Sequence, residues 1–346
     1  LFYTHALAGL FPGGCGRGGG GILREKTPLR GTLTERHRHF SGRSRLFCPL
    51  PSAAGPLWNR KESNDMKQRI LTSVVAFCIL LPVLIFADTP ALPAALAICA
   101  VLAVYEMLHC IGLGRSPVIG IPFYLSAAAF PFLVRYLPRE GLLFPIAGSV
   151  AVLVVLYLFA VLIFSHGKYQ LQSLGVCFMS LFYILVGFNA IIYIHDYEIG
   201  GQYLYLIVFV GAWVTDIFAY FCGLLLGRGG RHKLIPDVSP KKTVEGSIGG
   251  IVFCMLAMLL FGVIVERAVP EIQANLWLFV VSGLVVSVVA QIGDLCMSVI
   301  KRSYEIKDYG KIFPGHGGVL DRFDSVLAVS VVLLVFTSFF NFFEGI

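Results

Sequence analysis

The sequence predicts an all-α, polytopic integral membrane protein of about nine transmembrane helices, with its N-terminus in the cytoplasm. Three observations predict it. Of 346 residues, 57% are hydrophobic and only 14% charged, with mean hydropathy +0.81, whereas a soluble domain carries about 25% charged residues. Several apolar runs exceed the roughly 18 residues that mark a membrane span. The Lys and Arg between those runs fall mostly on alternate sides, as the positive-inside rule requires.

Residues 1–65 stand apart. They are rich in Gly and Arg, show no helical or strand period, and contain no Met before Met66. This segment reads as non-native or leader sequence, disordered and without a part in the chemistry, with an organellar transit peptide as the alternative. It also accounts for most of the formal net charge of +7, holding ten Lys and Arg against four Asp and Glu. The basic balance therefore implies no nucleic-acid partner for the membrane body. Of nine cysteines, Cys15 and Cys48 lie in this segment and the others are scattered through apolar runs. Neither a disulfide framework nor a zinc site is indicated.

From Met66 to residue 346 the chain reads as one membrane-embedded domain. The expected spans are near 68–87, 91–110, 117–137, 141–165, 173–194, 202–226, 246–266, 275–300 and 319–343. Lys67 and Arg69 set the N-terminus inside, and an odd count sets the C-terminus outside. Arg115, Lys168, the block from Arg228 to Lys242, and the block Lys301, Arg302, Lys307, Lys311 then all fall on the inner side. Outer loops carry Asp88, Asp196, Glu198 and Glu271. One outer loop dissents, with Arg135 and Arg139 against Glu140.

Two stretches hold the polar chemistry. In the first, Asp216 lies inside the sixth span, and an ionisable residue there is a functional candidate by default. The loop after it carries Ser239-Pro-Lys-Lys-Thr243 and then Glu245, near enough to the next helix start to cap it. Lys241 and Lys242 are candidates for a phosphate contact. Glu106, near the inner end of the second span, either snorkels, pairs with a loop cation or joins the site. Asn189 and Gln291 read as helix-to-helix hydrogen bonds.

The second stretch, Ser298 to Ser325, places cations and carboxylates beside glycines. Asp294, Ser298, Lys301 and Arg302 stand at i, i+4, i+7 and i+8 and share a helix face. After Pro314-Gly-His-Gly-Gly318, Asp321, Asp324 and Ser325 share another. A glycine-rich turn entering a helix offers free N–H groups to an anion, and Asp294 and Asp321, from separate helices, can clamp Mg²⁺. This is an inventory for a phosphate ester held with a metal.

The S-x-x-K-R, K-D-x-G and P-G-H-G-G-x-x-D-R-x-D-S elements, from Ser298 to Ser325, resemble the signature of the phosphatidate cytidylyltransferase family, also called CDP-diacylglycerol synthases, in its bacterial form. The S-P-K-K-T-x-E-G element after an Asp-containing span resembles the same family independently. The resemblance implies transfer of CMP from CTP to phosphatidate, giving CDP-diacylglycerol and pyrophosphate, at a multi-pass site on the cytoplasmic side of the bacterial inner membrane. It implies catalytic roles for Asp294, Asp321, Ser298, Lys301, Arg302 and Asp324, with Mg²⁺ on Asp294 and Asp321. A second cation near Asp324 and a homo-oligomer are compatible with it. Substrate contacts are implied for Asp216, Ser239, Lys241, Lys242 and Thr243, and for Lys307, Asp308, Gly315, His316, Gly317, Gly318 and Arg322. Two other readings stand beside it. A CTP-dependent polyprenol or phytol-type lipid kinase would share a nucleotide site but needs a base for its alcohol. A transporter would place its charges at the midplane in paired halves, and no internal repeat is present.

Overall fold

The computed structural model describes Thr72 and residues 74–137, 143–227, 232–236, 238–313, 315 and 317–345. The segment 1–65, and with it the expectation of disorder, lies outside the described residues. So do Arg139, Glu140, Arg228, Arg231, Pro314 and His316.

The architecture is helical. In chain order the helices are α1 (Val74–Ile85), α2 (Ala91–Cys110), α3 (Pro117–Tyr136), α4 (Leu143–Phe164), α5 (Leu171–His195), α6 (Gly201–Leu226), α7 (Val244–Ala268), α8 (Leu276–Ser303) and α9 (Leu320–Phe339). Among the described residues, seven are long and apolar enough to cross a membrane, and α1 and the stretch Gly148–Phe164 of α4 are shorter. Backbone polarity must be satisfied inside each segment in hydrocarbon, which only helices do when not closed into a barrel.

Helix–helix contact depends on small residues rather than on amphipathic faces. Gly293 of α8 lies against Ala328 and the Asp324 carbonyl of α9, and Gly250 of α7 lies against Thr215 of α6. A side chain at either would hold the helices apart. Ser330 of α9 donates to the Gly187 carbonyl of α5 at 2.7 Å. Gln291 reaches the Ser247 carbonyl of α7 at 3.4 Å, a weak link between helices as expected. Asn189 differs: its amide donates to Leu185 of its own helix at 2.7 Å.

Two small antiparallel pairs interrupt the helical pattern, and the sequence did not reveal them. β1 (Lys233–Ile235) pairs with β2 (Ser239–Thr243), so Ser-Pro-Lys-Lys-Thr is a strand. β3 (Ile272–Ala274) pairs with β4 (Phe343–Gly345). The last expected span therefore ends early, at Phe339, where the chain leaves the helix to bury Phe342 and Phe343 against Phe279. Strands this short carry no periodic signal.

The two ends of the bundle differ. At one end lie the C-termini of α2, α6 and α8, the N-terminus of α9 and the β1–β2 hairpin, joined by Lys242 to Asp294 and by Glu106 to Val319. At the other, β3–β4 and the α5–α6 turn meet, with Tyr197 donating to Asn341 at 2.9 Å. This second end also explains the dissenting cation. Arg135 forms an ion pair with Asp196 and donates to the Asp88 carbonyl at 2.8 Å, so its charge is neutralised locally.

Labels at Gln170 and at Glu344, at opposite ends of the bundle, should react with a membrane-impermeant reagent from opposite sides of sealed vesicles. Reaction from the same side would overturn this arrangement of crossings.

Candidate active site

The loop between α8 and α9 is shaped by two carboxylates. α8 closes with Glu305 in the left-handed region, φ 55°, while the Ile306 N–H reaches Lys301 O at 2.9 Å and Glu305 N–H reaches Arg302 O at 3.1 Å. This is the Schellman pattern with a non-glycine residue at its left-handed position. The chain then turns through Gly315 and Gly317, at φ 79° and 87°, and Phe313 N–H bonds Gly317 O at 2.9 Å across it. Asp321 pins both sides of the turn. Its Oδ2 accepts from the N–H groups of Tyr309 at 2.8 Å and Gly318 at 2.9 Å, and its Oδ1 takes the Lys301 ammonium at 2.8 Å. Burial pushes the Tyr309 phenol above its ordinary range, so it serves as a neutral donor to the Met297 carbonyl at 2.9 Å.

The second carboxylate is Glu106 of α2, 1% exposed. It accepts from Val319 N–H at 2.9 Å with one oxygen and from Leu320 N–H at 2.8 Å with the other. Helix starts leave such groups without intrahelical partners, and the residue before α9, Val319, supplies no side-chain cap.

On the other side of the site the hairpin is tied to α7 and α8. Thr243 caps α7, accepting from Gly246 N–H at 3.1 Å, so the cap is Thr243 and not Glu245. Glu245 instead meets the His232 ring at 2.6 Å, holding β1 on the helix start. Lys242 pairs with Asp294 at 2.6 Å, and Arg302 points toward the Val238 carbonyl at 3.5 Å. Asp294 has two acidic neighbours within electrostatic range, Asp216 and Asp324. Ser325 links them: its hydroxyl donates to Asp216 at 3.1 Å and its N–H to Asp324 at 2.8 Å.

Several expected residues come together. Asp216, Asp294 and Asp324 form one carboxylate group from α6, α8 and α9, with Lys242 against it. Lys241, Arg302, Lys307, Asp308, Lys311, Gly315 and Arg322 are exposed at this end, while Ser239 and Gly317 are half-buried and Thr243 and Gly318 buried. His316 lies outside the described residues. Three expectations change. Three N–H groups at the close of the glycine turn and the helix start are taken: Gly318 serves Asp321, and Val319 and Leu320 serve Glu106. Lys301 is 8% exposed and committed to Asp321. The Asp321 oxygens hold an ammonium and two amides where the expectation was a metal ion shared with Asp294. Ser298, on the same helix face, is buried. Among the described residues no group of three or more His, Cys, Asp or Glu stands ready-made as a metal cage. Carboxylates as a class suit a hard cation, and of Asp216, Asp294 and Asp324 it is Asp294 that carries the Lys242 ammonium. Glu106 was visible as an intramembrane carboxylate, but its partners are more than 200 positions away. Tyr309 and His232 carried no signal.

A helical membrane bundle with carboxylates gathered under exposed Lys and Arg at one end defines an integral-membrane enzyme of phosphate-ester chemistry. Comparison with known proteins narrows the class. A match to the profile described as the Cytidylyltransferase family spans residues 67–340. A Staphylococcus haemolyticus phosphatidate cytidylyltransferase is 33% identical over 274 residues, covering 78% of this chain and 97% of the relative. Proteins of the same name from Staphylococcus epidermidis and Staphylococcus aureus are 33% and 32% identical over the same shares. The chain belongs to the cytidylyltransferase family.

Replacing Lys301 by Met would leave the Asp321 charge buried without its cation. The expected cost is about 3–5 kcal/mol, read as a lower melting temperature in detergent, with Lys301→Met/Asp321→Asn recovering part of it. An unchanged melting temperature in Lys301→Met would show that the pair does not hold the loop.

Proposed function

We propose that the protein transfers CMP from CTP to phosphatidate, forming CDP-diacylglycerol and pyrophosphate. The observation that carries this is the pairing of Lys242 with Asp294, beside Asp216 and Asp324, beneath exposed cations in a chain of this family. A phosphate monoester carries about −1.5 to −2 charges at neutral pH, so an oxygen of phosphatidate can attack the α-phosphorus of CTP without a general base. The bond from that phosphorus to the bridging oxygen breaks, and pyrophosphate leaves. Repulsion between anions is the main barrier. Lys241, Arg302, Lys307 and Arg322, all exposed, screen the phosphates and the leaving group.

Mg²⁺, when bound, would be held by Asp294 with Asp216 and Asp324 and would neutralise phosphate charge. Lys242 then faces both the carboxylates and the incoming phosphates, and Ser325 orients Asp216. The cation-rich end faces the cytoplasm of a bacterial inner membrane, because Arg115, Lys168, Lys233, Lys241, Lys242, Arg302, Lys307 and Lys311 gather there. CTP arrives from the water and phosphatidate sideways from the adjoining leaflet, with its tails in lipid. The family membership favours this reading over a lipid kinase or a transporter.

Purified protein given labelled CTP and phosphatidate in mixed micelles should form a labelled lipid and release pyrophosphate. Transfer of a single phosphate to an alcohol acceptor, with CDP released, would replace this reading with the kinase. In the same assay Asp294→Asn should cut turnover by about 10²-fold or more and raise the Mg²⁺ requirement, while Asp321→Asn should chiefly lower stability. Equal Mg²⁺ dependence in wild type and Asp294→Asn would remove Asp294 from the cation site.

A further inference from the structure

We infer that Glu106 is a positioning residue for this transfer: its carboxylate holds the first turn of α9, and with it Arg322 and Asp324, in register with Asp294 of α8 and Asp216 of α6. The inference rests on the proposed reaction for its kinetic consequence. Its geometry stands alone. Each oxygen of Glu106 accepts one backbone N–H, from Val319 and from Leu320, at 2.9 and 2.8 Å. Both partners are donors, so both Glu106 oxygens serve as acceptors. Among the described residues no cation pairs with it, and the positive end of α9 supplies its counter-charge.

The loop is built around this carboxylate. A Cβ on Gly310 or on Gly318 would run into the Glu106 carboxyl group. Two glycines from different parts of the loop therefore keep the space that Glu106 fills. α2 touches α9 little elsewhere, so this side chain is its principal hold on the site. Asp324 lies one turn beyond the capped residues, and its Oδ1 accepts from Ser325 N–H, which fixes its direction relative to the helix start. A shift of the first turn carries Arg322, Asp324 and Ser325 together, and Asp216 loses its Ser325 partner with them. A misplacement of about 1 Å in reacting groups costs on the order of 10²-fold in rate.

The test compares Glu106→Gln, Glu106→Asp and Gly310→Ala with wild type in nanodiscs. Glu106→Gln turns an acceptor into an NH₂ that faces an N–H donor, whichever way the amide is flipped. It should lower kcat about 10²-fold while KM for CTP stays within about threefold, because Lys241, Arg302 and Lys307 lie outside α9 and are untouched. Glu106→Asp keeps both acceptors on a shorter stem and should recover part of the rate. Gly310→Ala leaves the carboxylate present but crowded and should also lower kcat. Hydrogen exchange should quicken at residues 318–322 in Glu106→Gln and stay slow in α7. Unchanged kcat in Glu106→Gln, or lost kcat with unchanged exchange at 318–322, would overturn the inference. Should Glu106→Gln fail to fold, Gly310→Ala decides: a lowered kcat with faster exchange at 318–322 supports the inference, and wild-type values overturn it. Wild type that forms no CDP-diacylglycerol would sink the proposed reaction instead, and the exchange experiment would still report on the cap.

Discussion

The start of α9 is the point on which the rest of the site depends. A helix that begins inside a membrane protein exposes N–H groups that neither water nor its own turns can satisfy. Here two carboxylates satisfy them, Glu106 from α2 and Asp321 from α9 itself. Neutralising Asp321 requires Lys301 from the end of α8, which ties that helix to the same point. Three helices and the loop between two of them are thus held by one group of charge-assisted hydrogen bonds, which are stronger than neutral ones.

This arrangement separates two kinds of charge that the sequence presents side by side. Asp321 and Lys301 are buried and spent on each other, and Glu106 is buried and spent on the Val319 and Leu320 amides. Asp216 and Asp294 are not fully buried, Asp324 is, and Lys242 partners Asp294, while Arg302, Lys307, Lys311 and Arg322 are exposed. A buried pair keeps its geometry because breaking it leaves an uncompensated charge, whereas exposed cations can reorient in water. The glycines follow the same division. Gly310 and Gly318 make room for the inner carboxylate, while Gly315 and Gly317 supply the left-handed turn.

The far end of the bundle applies the same physics. Arg135, which breaks the pattern of positive charge inside, is matched by Asp196 and by the Asp88 carbonyl in a cleft of about 680 Å³ that also includes His195 and Glu198. Its charge is cancelled where it stands. The exposed basic groups consequently remain concentrated at the active-site end.

The sequence by itself determined the helical membrane class, the approximate bounds of the long apolar helices and the two stretches where polar groups concentrate. Hydropathy, spacing and local motifs are properties of contiguous residues, so Asp216, Lys242, Asp294 and Asp324 were all legible as candidates. It could not apportion their partners. Asp294 and Asp321 look equivalent in the chain, one before the loop and one after it. Only the tertiary structure gave Asp321 to Lys301 and two amides and left Asp294 with Lys242 beside Asp216 and Asp324. Likewise Glu106 lies more than 200 positions from the amides it caps, and β3 finds β4 across α8 and α9. Which donor meets which acceptor is decided by helix packing, because distance in space and not in sequence sets the strength of a hydrogen bond or a charge pair.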